Sequence, residues 1–529
     1  MESNGWRCDF GAAMKKVLDS ELVETDNGAV AYRTHGGEHA ALLDLNFSVT
    51  QMRTMDEAAI AKKFAAAMLE DPPLAMRWLA YAMDIRHGLG ERKISKAILH
   101  LLVHTVALDG MALARLIPEF NRWDMVFELF NTALEPYALA VVSDQLAEDC
   151  SNMKRRLKGE KNLPISLLGK WMPSENCHSF KRSELARTLA KKLGMDMKTY
   201  RRMLSALRSE LDVVERKMSA GKWSQIDYSA VPSKANINYA KAFAAHDPER
   251  RKTFLANVEA GKENMNASVL SPCEIVHRVF AGAISPVDAD ALWQNLPDCV
   301  GEGDGGTLCV VDTSCSMHWG EGNGVRPIEA AVGMGFYFAE RLKGAFKDKF
   351  VTFAANPRIH STAEPATLSR SERMRHVSLL DICENTNLEK VFDLVLRTAV
   401  SNRMEQSDLP SRILVISDMQ FDGSSHGLSR PDAPSLLDAI AARYEEHGYK
   451  LPKLVFWNVE AVGRNVPTIP CQKNDMGLVT VSGYSPFIAK MVMTDKTDPF
   501  EALKDVLMSP RYDRFERVFT AARRFSNGQ

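Results

Sequence analysis

Two apolar strands that each end in an aspartate constrain the fold of this chain more than any other feature. Residues 307–311 (TLCVV) lead into Asp312, and residues 412–417 (RILVIS) lead into Asp418. Continuous Val/Ile/Leu runs are typical of strands that are covered on both faces. Strands that alternate with helices predict βαβ units, and therefore a mainly parallel, Rossmann-like sheet in an α/β domain over residues 307–500. The other predicted elements are strands at 349–355, 453–460 and 477–483, and helices at 325–344, 387–402, 435–447 and from about 486.

The first half of the chain has a different pattern. Between residues 43 and 279, apolar residues recur at spacings of three and four, as in 60–70 and 73–86, which predicts amphipathic helices. Consecutive short helices with short polar turns are typical of an α-solenoid or a helical ring. The predicted parts of this multidomain chain are an N-terminal segment at 1–40, an all-α helical-repeat domain at 41–298, a glycine-rich linker at 299–306, the α/β domain at 307–500 and a C-terminal helical extension at 501–529.

Composition excludes several classes of protein. The apolar runs are far shorter than the roughly 20 residues that span a membrane, so no membrane partner is expected. The first residues, MESNGWRCDFG, lack a basic region followed by an apolar one. The cysteines are scattered and form no CxxC pair, which is typical of reduced thiols. We therefore expect a cytoplasmic protein.

The loop after the first strand has a pattern that suits a metal ion. In the sequence Asp312-Thr313-Ser314-Cys315-Ser316, one carboxylate and two hydroxyls alternate on a turning backbone. Hard oxygen ligands of this kind favour Mg²⁺ or Mn²⁺. Functional residues of parallel sheets lie beyond the carboxyl ends of the strands. The predicted metal site is built from Asp312, Ser314, Ser316, Thr386 and Asp418.

This set of residues resembles the metal-ion-dependent adhesion site (MIDAS) of von Willebrand factor A (vWA) domains. That family has D-x-S-x-S after its first strand, a Thr from a later loop and an Asp after a subsequent strand, and all of these positions are matched in order. The resemblance covers residues 306–500. It implies a vWA-like domain with a bound Mg²⁺ or Mn²⁺ and an open coordination position for an acidic protein ligand. The alternative is a motif that holds no metal.

The motifs do not predict an enzyme. A metal ion beside a serine is compatible with hydrolysis, but no His or Glu stands in the motifs as a general base. His318 lies near the first loop, and a lone histidine in a loop is more often solvated than catalytic. We therefore expect a binding module with no catalytic residues.

Charge is distributed unevenly along the chain. The net charge is −1, yet residues 151–252 contain 23 Lys/Arg and 10 Asp/Glu, an excess of 13 positive charges. A basic segment in an otherwise acidic chain predicts a surface that binds polyanions. The alternative is that these charges lie on separate, solvated helix faces. The candidate RNA-binding residues are Lys154, Arg155, Arg156, Lys158, Lys181, Arg182, Lys191, Lys192, Arg201, Arg202 and Arg208.

Several strings of the helical half resemble known proteins. These strings are DIRHGLGERK at 84–93, IPEFNRWD at 117–124, KWMPSEN at 170–176 and YRRMLSALRSELDVVE at 200–215. They are similar to an uncharacterised family that pairs a helical region with a C-terminal vWA domain. More distantly, the layout and the turn at 86–92 resemble the TROVE module of the Ro autoantigen family, RNA-binding ribonucleoproteins in which a helical ring is closed by a vWA domain.

The Ro resemblance implies a function. In Ro-type proteins RNA ends enter the ring, and structured RNA lies on a basic outer surface. The resemblance therefore implies a ribonucleoprotein scaffold whose partner is single-stranded or end-exposed RNA. The alternative is a metal-dependent protein–protein interaction or assembly protein with no RNA role.

Other residues of the helical half have two interpretations. Aromatic side chains among the basic residues are candidates for stacking on unpaired bases, or else they anchor the packing of helices. Arg86, Glu91 and Arg92 are equally compatible with a structural ion-pair network, and Trp123 with Asp124 predicts a packing contact between helices. The interleaved aromatic residues are Trp171, Tyr200, Trp223 and Tyr228.

Overall fold

The structure is a computed structural model that describes two compact units. One, the sheet unit, comprises the described parts of 1–56, 69–71 and 270–506; the other, the helical unit, comprises those of 57–68, 72–269 and 507–529. The described residues are 22–24, 30–33, 39–53, 55–105, 108–177, 179–211, 213–268, 270–300, 306–318, 325–353, 357–380, 388–418, 436–459, 468–469, 478–482 and 499–518.

Helices make up most of the described chain before residue 295. In chain order the helices are α1 (Ala40–Phe47), α2 (Val49–Met52), α3 (Glu57–Glu70), α4 (Pro72–Met83), α5 (Arg92–Thr105), α6 (Gly110–Phe120), α7 (Glu135–Leu157), α8 (Leu168–Trp171), α9 (Phe180–Lys192), α10 (Met197–Glu210), α11 (Val214–Ser219), α12 (Ser233–His246), α13 (Pro248–Glu259), α14 (Pro272–Phe280), α15 (Pro286–Gln294), α16 (Pro327–Arg341), α17 (Arg370–Ser378), α18 (Leu388–Asn402), α19 (Leu436–Glu446) and α20 (Pro499–Leu507). Within the described ranges, every helix is too short or too polar to cross a bilayer.

The strands form a six-stranded and a three-stranded sheet. The larger has the order β5-β4-β3-β6-β7-β9 and is parallel except for the antiparallel edge strand β5; the smaller, β1-β2-β8, is antiparallel. The predicted helical N-terminal region and mostly parallel, Rossmann-like C-terminal sheet are confirmed. The strands are β1 (Leu22–Glu24), β2 (Val30–Arg33), β3 (Thr307–Asp312), β4 (Lys349–Phe353), β5 (Ile359–Ser361), β6 (Arg412–Ser417), β7 (Lys453–Asn458), β8 (Thr468–Ile469) and β9 (Leu478–Ser482).

Helices cover both faces of the large sheet. Alternate residues of a strand point to opposite faces. Val310 on one face belongs to a buried cluster that includes Phe392 of α18 and Tyr444 of α19. Val311 on the other face meets α16, where a Cβ added to Gly335 would lie 2.4 Å from the Val311 Cγ2. Every side chain of β3 and β6 is buried, which agrees with their continuous apolar sequences.

The boundary between the two units differs from the predicted limit at residue 298. Helix α14 packs closely on α16. A Cβ added to Gly333 of α16 would lie 3.1 Å from the backbone N of Cys273 in α14, so the glycine permits this close approach. His277 Nδ1 of α14 lies 2.8 Å from Glu329 Oε2 of α16. Helices α14 and α15 therefore belong to the sheet unit. The sequence did not predict this, because an amphipathic pattern shows that a helix is covered but not by which neighbour.

Helix α4 forms the centre of the helical unit. All residues from Leu74 to Met83 are buried, as expected for a helix that is apolar all round. Its one cation, Arg77, is 6% exposed. The guanidinium donates to Glu516 Oε2 at 2.6 Å, Asp513 Oδ1 at 2.8 Å and the Leu507 carbonyl at 3.1 Å. The segment 507–518 therefore completes the helical unit.

The string DIRHGLGERK forms a tight turn after α4. The Gly88 N–H donates to the Asp84 carbonyl at 3.2 Å, and the Leu89 N–H donates to the Tyr81 carbonyl at 3.0 Å. Gly90 has a φ of +66°, which glycine adopts more readily than other residues. The glycines of the turn that resembles the TROVE module are therefore explained by the folding of this turn.

We expect Gly88→Ala to destabilise the helical unit by about 1–3 kcal/mol, as overpacking does. A Cβ at Gly88 would lie 2.1 Å from the backbone oxygen of Tyr81, and backbone cannot move aside as a flexible side chain can. Thermal unfolding followed by circular dichroism measures the effect. A melting temperature equal to that of the unaltered protein would contradict it.

Candidate functional site

The predicted metal ligands lie where two parallel strands end side by side. Strands β3 and β6 are neighbours, with Val311 opposite Ile416. Their carboxyl ends therefore deliver Asp312 and Asp418 to the same edge of the sheet. Both carboxylates are buried, with 0% of Asp312 and 3% of Asp418 exposed. This edge is the candidate metal centre.

The loop after β3 brings the hydroxyls to the same place. The Ser314 N–H donates to Asp312 Oδ1 at 2.9 Å, which folds the loop back over the strand end. The Oγ atoms of Ser314 and Ser316 are 3.1 Å apart. The Ser417 hydroxyl donates to Asp312 Oδ2 at 2.6 Å and fixes that carboxylate.

The structure thus brings together four of the predicted ligands, Asp312, Ser314, Ser316 and Asp418, and Thr386 lies outside the described residues. The sequence reasoning missed Ser417. Its signal was a hydroxyl at the end of a buried strand, where an apolar residue is expected. Within the described ranges, no three His, Cys, Asp or Glu side chains lie together as a set of metal ligands. A metal ion at this edge would therefore need the serine hydroxyls as ligands.

Burial and charge make this site favourable for a cation. Burial and the like charge of Asp418 raise the pKa of Asp312 to about 7, although hydrogen bonds from Ser417 and Ser314 oppose this. A divalent cation would remove the repulsion and favour the ionised form. The Thr313 Oγ1 is buried without a hydrogen-bond partner among the described residues. The donor set of carboxylates and hydroxyls fits Mg²⁺ or Mn²⁺.

His318 is half-buried rather than solvated as expected. Burial and the charge of Arg326 lower its pKa, so the imidazole is neutral at pH 7. Its Nε2 is buried and has no hydrogen-bond partner among the described residues. The ring therefore adds no positive charge that would oppose a metal ion.

We expect the metal-free protein to lose stability as the pH rises through about 7. The folded state raises the pKa of Asp312 to about 7, against about 3.9 in an unfolded chain. Folding therefore favours the protonated carboxyl. The free energy of unfolding that this protonation contributes is fully present below pH ~4 and is lost above the folded-state pKa of about 7. Melting temperatures between pH 5 and 8 in a chelator test it. The Asp312→Asn variant should lack this part of the pH dependence. An equal slope of melting temperature against pH in both proteins would contradict the assignment of this dependence to Asp312.

The predicted basic residues lie on three helices that pack together in the helical unit. Helix α7 ends with Lys154, Arg155 and Arg156, and Lys158 follows it directly. Helices α7 and α10 pack on each other and on the short α8, and α9 packs on α10. The remaining residues are Lys181, Arg182, Lys191 and Lys192 on α9, and Arg201, Arg202 and Arg208 on α10.

Some of these cations are neutralised by nearby acids. Arg155 pairs with Glu160 at 2.6 Å and Arg201 with Glu175 at 2.5 Å, and Lys192 pairs with Glu135. Others are exposed and make no salt bridge within the described ranges. We refer to these exposed residues together as the basic surface: Lys154, Lys158, Lys181, Lys191 and Arg202.

Arg208 and Arg156 donate to the protein itself. Arg208 donates to the carbonyls of Gly169 at 2.9 Å and Met172 at 2.8 Å, and to the Ser174 hydroxyl at 2.9 Å. These contacts satisfy backbone groups at the end of α8. Arg156 Nε donates to the Leu163 carbonyl at 2.8 Å. The RNA-binding role of both residues stays a prediction.

Two of the four interleaved aromatic residues, Tyr200 and Tyr228, anchor helix packing. Tyr200 is buried and donates to the Pro173 carbonyl at 2.9 Å. Tyr228 is buried and donates to Asp247 Oδ2 at 3.0 Å. Trp223 stacks on a histidine ring at 4.3 Å. The structure therefore places two of these rings where they are inaccessible to bases.

The fold and the site define a chain with an all-α region and a mostly parallel α/β unit that carries a candidate metal centre. A family model described as "Domain of unknown function (DUF7788)" matches residues 306–514, and one described as "Domain of unknown function (DUF2828)" matches residues 195–298. The chain is 28% identical over 526 residues to the "Uncharacterized protein L728" of Acanthamoeba polyphaga mimivirus, covering 92% of this chain and 87% of that protein.

A solved structure is also similar to this chain. The Ro (RSR) protein of Deinococcus radiodurans aligns with a TM-score of 0.35 and 12% identity, covering 92% of this chain and 96% of the Ro chain.

Proposed function

We propose that this protein is an RNA-binding, Ro-like ribonucleoprotein scaffold with a metal-dependent interaction module of the vWA type. The observation that carries the RNA role is the basic surface: exposed cations of α7, α9 and α10 that form no salt bridge with the described acidic residues. The resemblance of the layout and of the turn at 86–92 to TROVE proteins supports the same role. Single-stranded or end-exposed RNA is the proposed partner.

The chemistry of the basic surface is that of phosphate binding. Lysine and arginine neutralise backbone phosphates and release counterions, so binding depends steeply on salt. Such contacts position a nucleic acid without reading its bases. The proposed scaffold therefore holds RNA with little preference for its sequence.

A mobility-shift assay with single-stranded RNA across a salt series tests this function. If six or more phosphates are contacted, affinity should fall by roughly 10³ or more between about 50 and 200 mM salt. Reversing Lys154, Lys158, Lys181, Lys191 and Arg202 to Glu should weaken binding of all sequences alike. The matched control reverses five exposed cations of the sheet unit, which are Lys347, Lys349, Arg358, Arg397 and Arg403.

The two charge-reversed proteins have the same net charge, so their comparison isolates the position of the charges. Equal loss of RNA binding in both would show a general charge effect and count against the basic surface. Absence of RNA binding by the unaltered protein at low salt would reject the RNA role.

The proposed interaction module is the metal centre at the ends of β3 and β6. Asp312, Ser314, Ser316 and Asp418 would hold Mg²⁺ or Mn²⁺, with Thr386 as the fifth ligand that the vWA resemblance implies. A bound ion with an open position would accept a carboxylate from a protein partner. The role that we propose for this module is binding rather than catalysis.

The second candidate function is metal-dependent assembly with another protein, with no RNA role. It is favoured by the buried pair Asp312 and Asp418, whose repulsion a cation would relieve. Divalent-ion binding in a protein that does not shift RNA would support this candidate over the scaffold.

A further inference from the structure

Three arginine side chains of the helical unit converge on one buried carboxylate. Asp124 is 4% exposed and lies in the 3-10 segment Trp123–Leu129. Arg92 Nη2 lies 2.6 Å from its Oδ2, and Arg122 donates to both oxygens, from Nε at 3.1 Å and Nη2 at 2.9 Å. Arg182 Nη2 lies 3.8 Å from the same Oδ2. Three guanidinium groups around one carboxylate leave an excess of two positive charges.

No other described acidic residue offsets this excess by pairing with these arginines. Arg92 and Arg182 also stand in the first turns of α5 and α9, and neither helix has an acidic residue there. A helix N-terminus carries partial positive charge and favours anions over cations. The excess of positive charge at the cluster therefore favours the binding of an anion.

The arginines are accessible and pre-oriented. The side chains of Arg92 and Arg182 are about half exposed, at 53% and 51%. Arg182 makes no side-chain hydrogen bond within the described part of the chain, so its donors are available to a ligand. The Arg122 guanidinium lies 4.2 Å above the Trp171 ring, which fixes its plane. A planar guanidinium in a fixed orientation binds a phosphate through two parallel hydrogen bonds.

We propose that Arg92, Arg122 and Arg182 form a binding site for a phosphate dianion, namely the terminal phosphate of an RNA strand. A terminal phosphate carries a charge of about −1.5 to −2 at pH 7, whereas a phosphate within the strand carries a single charge. The excess of two positive charges matches the terminal group. This inference rests on the proposed RNA-binding function and names the part of the RNA that the cluster holds.

The test compares single-stranded RNAs of one sequence with a 5′-phosphate, a 3′-phosphate or hydroxyls at both ends. Fluorescence anisotropy with the full chain measures their affinities. A charge-assisted contact of this kind predicts that one phosphorylated RNA binds at least about tenfold more tightly than the hydroxyl-ended RNA. In Arg182→Gln this ratio should fall towards one.

Arg182 is the residue to change because Asp124 keeps its two closer partners, Arg92 and Arg122. An unchanged melting temperature confirms that the fold is retained. Lys181→Gln is the matched control, since the neighbouring residue loses the same charge from the same helical turn but forms no ion pair with Asp124. It should weaken all of the RNAs equally and leave the ratio intact.

Equal binding of RNA with and without a terminal phosphate would overturn the inference and leave the proposed function standing. Calorimetric titration with inorganic phosphate separates the remaining outcomes. Phosphate binding that Arg182→Gln abolishes, in a protein that binds no RNA, would overturn both the proposed function and RNA as the source of the phosphate. A protein that binds neither phosphate nor RNA would overturn both proposals.

Discussion

Asp312→Ala is expected to abolish the binding of Mg²⁺ and Mn²⁺. Asp312 is the carboxylate around which the site is folded, since it accepts the Ser314 N–H at 2.9 Å and the Ser417 hydroxyl at 2.6 Å. Its loss removes one of two carboxylates and also the contacts that hold Ser314 in place. Asp418→Ala removes the other carboxylate and should have the same result. Isothermal titration calorimetry with each ion measures the loss.

The Asp312→Asn variant separates charge from shape. Asparagine has the same shape: its Oδ1 can still accept from the Ser314 N–H, and its amide N–H can donate to the Ser417 Oγ. It lacks the negative charge that a divalent ion requires. In the metal-free state it should be at least as stable as the unaltered protein, because the like charges of Asp312 and Asp418 no longer meet in a buried site. Added Mg²⁺ should raise the melting temperature of the unaltered protein by mass action and not that of the variant.

Cys315→Ala is the matched control for the metal site. Cys315 lies within the same loop, between Ser314 and Ser316, but its side chain is exposed and supplies no oxygen. It should bind divalent ions as the unaltered protein does. RNA binding should be unchanged in Asp312→Ala, since the basic surface belongs to the helical unit. Absence of divalent-ion binding by the unaltered protein would reject the metal centre.

Arg511→Ala is expected to destabilise the helical unit by about 3 kcal/mol or more, as the removal of one partner of a buried ion pair does. Asp84 is 0% exposed, and Arg511 binds its two oxygens from Nε at 2.5 Å and Nη2 at 3.0 Å. Without Arg511 the buried carboxylate keeps, among the described residues, only the Arg86 N–H at 3.0 Å and a long contact to Tyr512 at 3.5 Å. Urea denaturation and hydrogen exchange of α4 measure the loss.

Arg514→Ala provides the control for this pair. Arg514 is three residues away and pairs with Glu119 at 2.6 Å, but both side chains are about half exposed. Exposed pairs contribute at most about 1 kcal/mol, so this variant should behave almost as the unaltered protein. Equal effects of the two substitutions would show that the burial of Asp84 does not set the strength of its pair.

Much of the fold could be predicted because its signals are local. The apolar runs that end at Asp312 and Asp418 are β3 and β6, and the spacing of three and four residues did mark helices. Strand β5 was missed because three residues are too few to show alternation. The assignment of α14 and α15 to the sheet unit was missed because it depends on a close approach at Gly333, which has no signature in the pattern of either helix.

The candidate sites were predictable to different degrees. The metal ligands share a motif and follow strands, and the geometry of a parallel sheet then brings their positions together. The basic residues were identifiable by type only. Whether a cation is neutralised, as Arg201 is by Glu175, depends on a contact between distant parts of the chain. For the same reason the sequence suggested a packing role for Asp124 but not its three arginine partners.

The division of the chain between the units has a consequence for biosynthesis. Residues 507–518 supply Arg511 and the acidic partners of Arg77 to the helical unit, after more than two hundred intervening residues of the sheet unit. A ribosome therefore releases the strands and helices of the sheet unit before the last part of the helical unit is translated. During this interval the early helices have been synthesised, but Arg77 and Asp84 still lack those partners. A fragment that stops before residue 507 would lack these contacts permanently.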